Sequence, residues 1–208
     1  MENINMHYLH WGPYVGSTKL DNHILERLHE DGKKELESYH KKLAGHVKRQ
    51  VKYNDETTDW FYKQVSPILD TYRHGHLEYH GLEKREVQIA YDDLWVNFMR
   101  PGDFNPLHTH TGVYSFVIWV KIPTDFEKQN ENNISNMPSK SAFKFIHTDN
   151  LGQFRHYNYE LTPAAEGIML FFPSKLNHIV YPFYECDEER ISVSGNIGVD
   201  TTRTKDKK

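Results

Sequence analysis

Two histidines, His108 and His110, stand two residues apart in the stretch FNPLHTHTGVYSFVIWV, residues 104–120. On an extended strand residues i and i+2 project to the same face, so the two imidazoles can reach one point, as alternate residues of a helix cannot. Imidazole nitrogen is a common ligand for iron, zinc and copper. A metal centre there needs a third ligand from a distant strand, and His178 is the candidate, at the head of the apolar segment NHIVYPF just after the turn PSKL. Farther on come Arg190 and Ser192, again two apart and on one face of a strand. An inward guanidinium is costly unless it meets an anion, and its fork matches a carboxylate through two parallel hydrogen bonds. The set describes a metal beside a carboxylate-bearing ligand.

Other candidate patterns carry less. His74, His76 and His80 crowd the stretch RHGHLEYHGLEK, but its polar, glycine-containing context predicts an exposed turn rather than a metal site. The run KKLAGHVKRQVKYN, residues 41–54, is locally basic with few aromatics, which predicts a solvated loop or helix end. A net charge of -4 over 208 residues gives no basic field, so nucleic acid is not indicated as a partner. The single cysteine, Cys186, excludes an internal disulfide and a cysteine-rich zinc site and fits a reducing, cytoplasmic setting. The N-terminus MENINMHYLHWGPYVG lacks a basic patch followed by an apolar run, and no stretch approaches the roughly 18 apolar residues of a membrane span. Neither secretion by that route nor a membrane location is expected.

The elements that must position these residues follow from periodicity. Residues 1–16 read as an extended arm or first strand carrying Tyr8, Trp11 and Tyr14, a candidate homodimer contact. Leu20, Ile24, Leu25, Leu28 and Leu36 predict one amphipathic helix or two short ones, capped within Ser17–Asp21. Trp60, Phe61, Val65, Ile68, Leu69 and Tyr72 predict a second helix, bent or divided by Pro67. Alternation over residues 87–99 predicts strands with a break at Asp92 and Asp93, VYSFVIWVKIP predicts a buried strand, and the polar residues 124–141 predict an exposed insertion, a candidate lid. A hairpin around Asp149–Gly152 and the strands IMLFF, NHIVYPF and RISVSGNIGV complete the β part. Helices first and eight or so strands afterwards predict one mainly β domain: residues 1–86 arm and helical support, 87–200 a jelly-roll, cupin-like barrel, 201–208 a charged tail.

These motifs resemble the Fe(II)/2-oxoglutarate-dependent dioxygenases, whose core is a double-stranded β-helix, and most closely the 2OG-Fe(II) oxygenase branch of marine bacteria and their phages. The pattern N-P-x-H-x-H, a strand serine, F-P-S-x-x-x-H and R-x-S-x-x-x-N reads here as Asn105, Pro106, His108 and His110; Ser115; Phe172, Pro173, Ser174 and His178; and Arg190, Ser192 and Asn196, within residues 94–200. The resemblance implies an oxidoreductase of the hydroxylase type that uses Fe(II), 2-oxoglutarate as co-substrate and dioxygen on a small-molecule or peptide substrate, in the cytoplasm or, if phage-encoded, that of the host. It implies His108 and His178 as metal ligands and Arg190 with Ser192 as the 2-oxoglutarate clamp, with no catalytic residue beyond the metal site. Most of the superfamily has Asp or Glu where His110 stands. Either three histidines hold the metal, the favoured reading, or a carboxylate arrives from Asp103 or Asp149. Asn97, Tyr114, Ser115 and Trp119 are candidate pocket-lining residues. Two other classes remain to be distinguished: a three-histidine, cupin-like dioxygenase that does not use 2-oxoglutarate, and a non-enzymatic jelly-roll binding or virion protein.

Overall fold

The computed structural model describes residues 12–82 and 88–200; the expectations for Tyr8, Trp11 and the tail 201–208 lie outside these. Two antiparallel sheets form the β part. In chain order the strands are β1 (Gly16–Lys19), β2 (Glu37–Ser38), β3 (Arg49–Lys52), β4 (Ile89–Met99), β5 (Asn105–His108), β6 (Tyr114–Lys121), β7 (Ala142–Thr148), β8 (Phe154–Glu160), β9 (Ile168–Pro173), β10 (Asn177–Val180) and β11 (Arg190–Val199). The larger sheet runs β1-β9-β6-β11-β4-β3-β2 and the smaller β5-β10-β7-β8. This is the mainly β, double-stranded β-helix arrangement expected, with helices α1 (Asn22–Lys33) and α2 (Asp55–Tyr79) packed on the larger sheet and a short α3 (Phe126–Asn130) in the insertion.

The central strands of the larger sheet are buried on both faces, which is why VYSFVIWV reads as a continuous apolar run. Phe116 and Ile118 of β6, Val96 and Phe98 of β4 and Val193 of β11 join Leu28, Phe61, Val65 and Leu69 of the helices in one cluster. Val117 and Trp119 of β6, with Leu170 and Phe172 of β9, meet Phe143 and Phe145 of the smaller sheet in a second cluster between the sheets. Strand alternation divides each strand between the two cores.

Four local expectations are corrected. Helix α2 runs unbroken through Pro67: proline leaves the Lys63 carbonyl without its i+4 donor, and the Ser66 hydroxyl donates to that carbonyl instead, at 3.3 Å. The helix is capped by Asn54, whose side chain accepts from the Thr57 N–H. The histidine-rich stretch belongs to the same helix and its cap, not to an exposed turn, because Tyr72 and Leu77 still face the core. Residues Arg49–Lys52 form a strand paired with β4 rather than a solvated loop, with Gln50 and Val51 buried. Strand β4 passes Asp92 and Asp93 without a break, since the Asp93 carboxylate takes hydrogen bonds from Lys52, at 2.5 Å, and from the Tyr39 hydroxyl. The expected insertion is folded around Asn130, whose amide donates to the Phe126 and Lys140 carbonyls and accepts from the Ser139 and Lys140 N–H groups.

Candidate metal centre

His108 ends β5 and lies directly across from His178 of β10, so the antiparallel register itself sets two imidazoles side by side, with ring centroids 4.2 Å apart. His110 lies past the end of the strand. Its convergence comes from the turn before β10 rather than from strand alternation: its N–H donates to the Ser174 carbonyl at 2.8 Å, and Lys175 Nζ donates to its carbonyl at 3.0 Å. The Ser174 hydroxyl, donating to the Gly112 carbonyl at 2.5 Å, ties the same two loops again. Gly112 has φ +82°, and a Cβ there would lie 2.7 Å from the Ile197 carbonyl oxygen, so this loop closes only around a glycine.

The ligand-capable nitrogens of the three histidines lie within 4.8 Å of one another, and His110 Nε2 is 3.1 Å from His178 Nε2. His108 Nδ1 lies 2.7 Å from the Pro106 carbonyl and His178 Nδ1 2.9 Å from that of Leu176. A carbonyl only accepts, so both Nδ1 atoms carry the proton and both Nε2 atoms carry the lone pair a metal needs. Burial above all lowers the pKa of all three, His110 to about 4 and His178 to about 3, with neighbouring histidines adding repulsion at these two. All three are therefore neutral near pH 7, the ligating form. Among the described residues no carboxylate joins this cluster. Asp103 accepts from the backbone N–H groups of Lys48 and Arg100, and Asp149 closes its own hairpin and pairs with Arg155. Three neutral imidazoles, two of them with lone pairs fixed on Nε2, suit a divalent iron.

Arg190 opens β11 and is 1% exposed. Its guanidinium donates to the Tyr181 carbonyl at 3.0 Å, reaches the Ser141 hydroxyl at 3.5 Å and Met99 Sδ at 3.4 Å, and lies 5.0 Å from the Phe183 ring. No carboxylate pairs with it among the described residues, and burial pulls its pKa down to about 9. A buried cation with donors to spare suits an anionic guest. A cavity of about 150 Å³ adjoins the histidines, and Met99, which touches the guanidinium, lines it together with Ser192.

Of the candidate pocket residues, Asn97 lines this cavity and donates to Ser192 Oγ at 3.3 Å. Tyr114, Ser115 and Trp119 do not line it. Tyr114 lies on the opposite face of β6, among the helices, with its hydroxyl 3.1 Å from His76 Nδ1. Ser115 is buried and donates to Asn196 Oδ1, and Trp119 is enclosed in the inter-sheet core, stacked on Tyr159. Sequence reasoning missed Gln50, Leu43 and Ala44, which form a wall of the cavity from the N-terminal half. No motif marks them; Gln50 sits on a four-residue strand hidden in a charged run.

A family model described as "Putative 2OG-Fe(II) oxygenase" matches residues 93–196. Among solved structures, the viral collagen prolyl hydroxylase of Paramecium Bursaria Chlorella virus-1, in a 2OG complex, superposes with TM-score 0.55 at 14% identity, covering 89% of this chain and 96% of that one. A Pseudomonas putida prolyl-4-hydroxylase gives 0.52 at 14%, covering 88% and 91%. The non-heme alpha ketoglutarate dependent epimerase SnoN of nogalamycin biosynthesis gives 0.57 at 13%, covering 91% and 80%. At these identities the likeness is one of fold. No curated protein matches the chain by sequence.

Proposed function

Because the chain belongs to the 2OG-Fe(II) oxygenase family, we propose that His108, His110 and His178 hold its Fe(II) through their Nε2 atoms and that Arg190 and Ser192 receive the far carboxylate of 2-oxoglutarate. The protein is a 2-oxoglutarate- and Fe(II)-dependent oxygenase that consumes dioxygen. Bound Fe(II) supplies open coordination positions and the redox chemistry by which 2-oxoglutarate and dioxygen become succinate and carbon dioxide while a substrate is oxidised.

The observation that carries the residue assignment is the convergence of three neutral imidazoles, two of them tautomer-fixed, on one point. Pro106 and Leu176 hold the rings by their outer nitrogens, and the turn before β10 holds the His110 loop in place. With no anionic ligand, the centre is one unit more positive than with a carboxylate in the set, which draws an anionic co-substrate more strongly. Arg190 orients the co-substrate from the far end through its fork of donors. Phe143 and Phe172, whose rings contact His178, form an apolar wall that excludes water from that side.

The same reading takes the helices and barrel as one domain, since one core cluster spans both. It takes the substrate as a peptide or small molecule, the classes named for the similar structures. A cytoplasmic location in keeping with the lone cysteine, and a homodimer through the aromatic arm, belong to it as well. No helix among the described residues is long and apolar enough to cross a membrane. Calorimetric titration of the metal-loaded protein tests the assignment: 2-oxoglutarate binds, and Arg190→Ala weakens it about 100-fold, in the range for losing one partner of a buried charge pair. Absence of binding, or equal binding by Arg190→Ala, overturns it.

A further inference from the structure

Two acceptor oxygens in the cavity beside the histidines have no partner. Gln50 is fully buried, and its Nε2 donates to Asn97 Oδ1 at 2.8 Å. Asn97 Nδ2 in turn faces Ser192, 3.3 Å from its hydroxyl and 3.5 Å from its carbonyl. That carbonyl can only accept, so it turns the Asn97 nitrogen toward β11, and Asn97 then turns the Gln50 nitrogen toward itself. Gln50 Oε1 is left buried with no hydrogen bond, and so is Asn105 Oδ1. Both residues line the cavity that the three histidines line.

Gly45 explains why the two carboxamides come together. A Cβ at that position would lie 2.5 Å from Asn105 Oδ1 and 2.9 Å from Gln50 Nε2. Only the missing side chain lets both groups crowd the same spot. A buried acceptor without a donor is destabilising, and native structures leave few. Two in one cavity mark a place where a guest supplies the donors. 2-Oxoglutarate, a dianion near pH 7, offers only acceptors.

We propose that Gln50 and Asn105 are specificity-determining residues that accept hydrogen bonds from an amide of the substrate. The substrate is thus an amide-bearing molecule rather than a bare hydrocarbon. Two unpaired acceptors on residues lining one cavity call for two donors, which a primary carboxamide supplies, whereas a hydroxyl brings a single donor. A donor-free analogue would leave both oxygens unpaired, the situation that lets a polar site reject the wrong guest most strongly. Asn97 and Ser192 act as positioning residues that fix Gln50 Oε1 as the unpaired end. The inference rests on reading the histidines as the metal site.

The test uses acetamide and acetone, near-isosteric probes that differ in the N–H donors, with Mn(II)-loaded protein saturated with 2-oxoglutarate. Paramagnetic relaxation of the probe methyl protons reports residence near the metal. In the unaltered protein the enhancement for acetamide is at least about fivefold that for acetone, as expected for one hydrogen bond of about 1 kcal/mol. The ratio falls toward one in Gln50→Met and, separately, in Asn105→Ala. Because it is a ratio within one protein, loss of folded material lowers both arms alike. Equal enhancement of the two probes in the unaltered protein, or an unchanged ratio in either variant, overturns the proposal. Failure of the metal assignment has a different signature: no Mn(II) bound at the site and no enhancement of either probe, which overturns both.

Discussion

Two regions of this protein each gather three histidines, and they differ in what fixes the rings. His108, His110 and His178 come from two neighbouring loops and strands of the smaller sheet, and their ring nitrogens converge. His74, His76 and His80 lie along the end of one helix and its cap. On a helix, positions two apart point in nearly opposite directions, so His74 bonds back to the Asp70 carbonyl while His76 turns inward to the Tyr114 hydroxyl. His80 meets His76 only edge to face, with centroids 4.5 Å apart. Histidines are denser in sequence on the helix, His74 to His80, than in the converging set, which reaches from His108 to His178. What separates them is that in one set His108 and His178 have outer nitrogens tied to carbonyls and inner lone pairs free, whereas the other spends its nitrogens on packing and capping its own surroundings.

The largest expected effect that could break this contrast comes from deleting one ring in each region. His178→Ala brings bound iron from about one per chain to background, because the remaining pair cannot fix the ion, while His76→Ala keeps full metal content. Elemental analysis after anaerobic loading decides between them, and equal loss in both variants would erase the distinction. Next is Gly112→Ala, which forces a side chain into a positive-φ position against a backbone oxygen. It displaces the loop carrying His110 and weakens metal binding about 10–100-fold, the scale for losing a ligand's support, as read by competition with a chelator.

The pH dependence of the metal-free protein sharpens the comparison further. His110 and His178 take up protons in the unfolded chain near pH 6.5, yet stay neutral in the fold until about pH 4 and about pH 3. The unfolded state therefore binds more protons throughout that window, and stability falls as pH drops from about 6.5 toward 4. Denaturant midpoints across that range are expected to flatten in a His110→Gln/His178→Gln double variant. A slope unchanged by those substitutions would place the acid sensitivity elsewhere, His76 included, since burial lowers its pKa too. The smallest effect is Tyr114→Phe, which removes the hydroxyl beside His76. It costs about 1 kcal/mol of stability, the usual value of one hydrogen bond, and leaves metal loading alone.

Much of the chemistry was readable along the chain because it is carried by residue types at fixed short spacings. His-x-His, the histidine after PSKL and Arg-x-Ser are local patterns, and the short continuous apolar runs of β6 and β9 and the alternation of β11 read as strands. Less readable was which face of β6 meets the cavity. Alternation tells that Tyr114 and Ser115 point opposite ways, not which of them points toward the histidines, and the helices claimed the Tyr114 side. The reason His110 converges was also misassigned, because the strand ends one pair earlier than the spacing argument assumed.

The sequence by itself determined the candidate ligands, the candidate clamp residues and the mainly β class, since each depends on side-chain chemistry or on periods of two and 3.6 residues; it did not place β1, β2 and β3 ahead of α2. Only the tertiary structure decided that Gln50 and Asn105 line one cavity with the three converging histidines and that the histidines of α2 do not join them. It alone showed that Ser66 lets a helix run through Pro67. Contacts between residues tens of positions apart, and the pairing of a buried polar atom with a partner, are properties of packing, and no local pattern of residues encodes them.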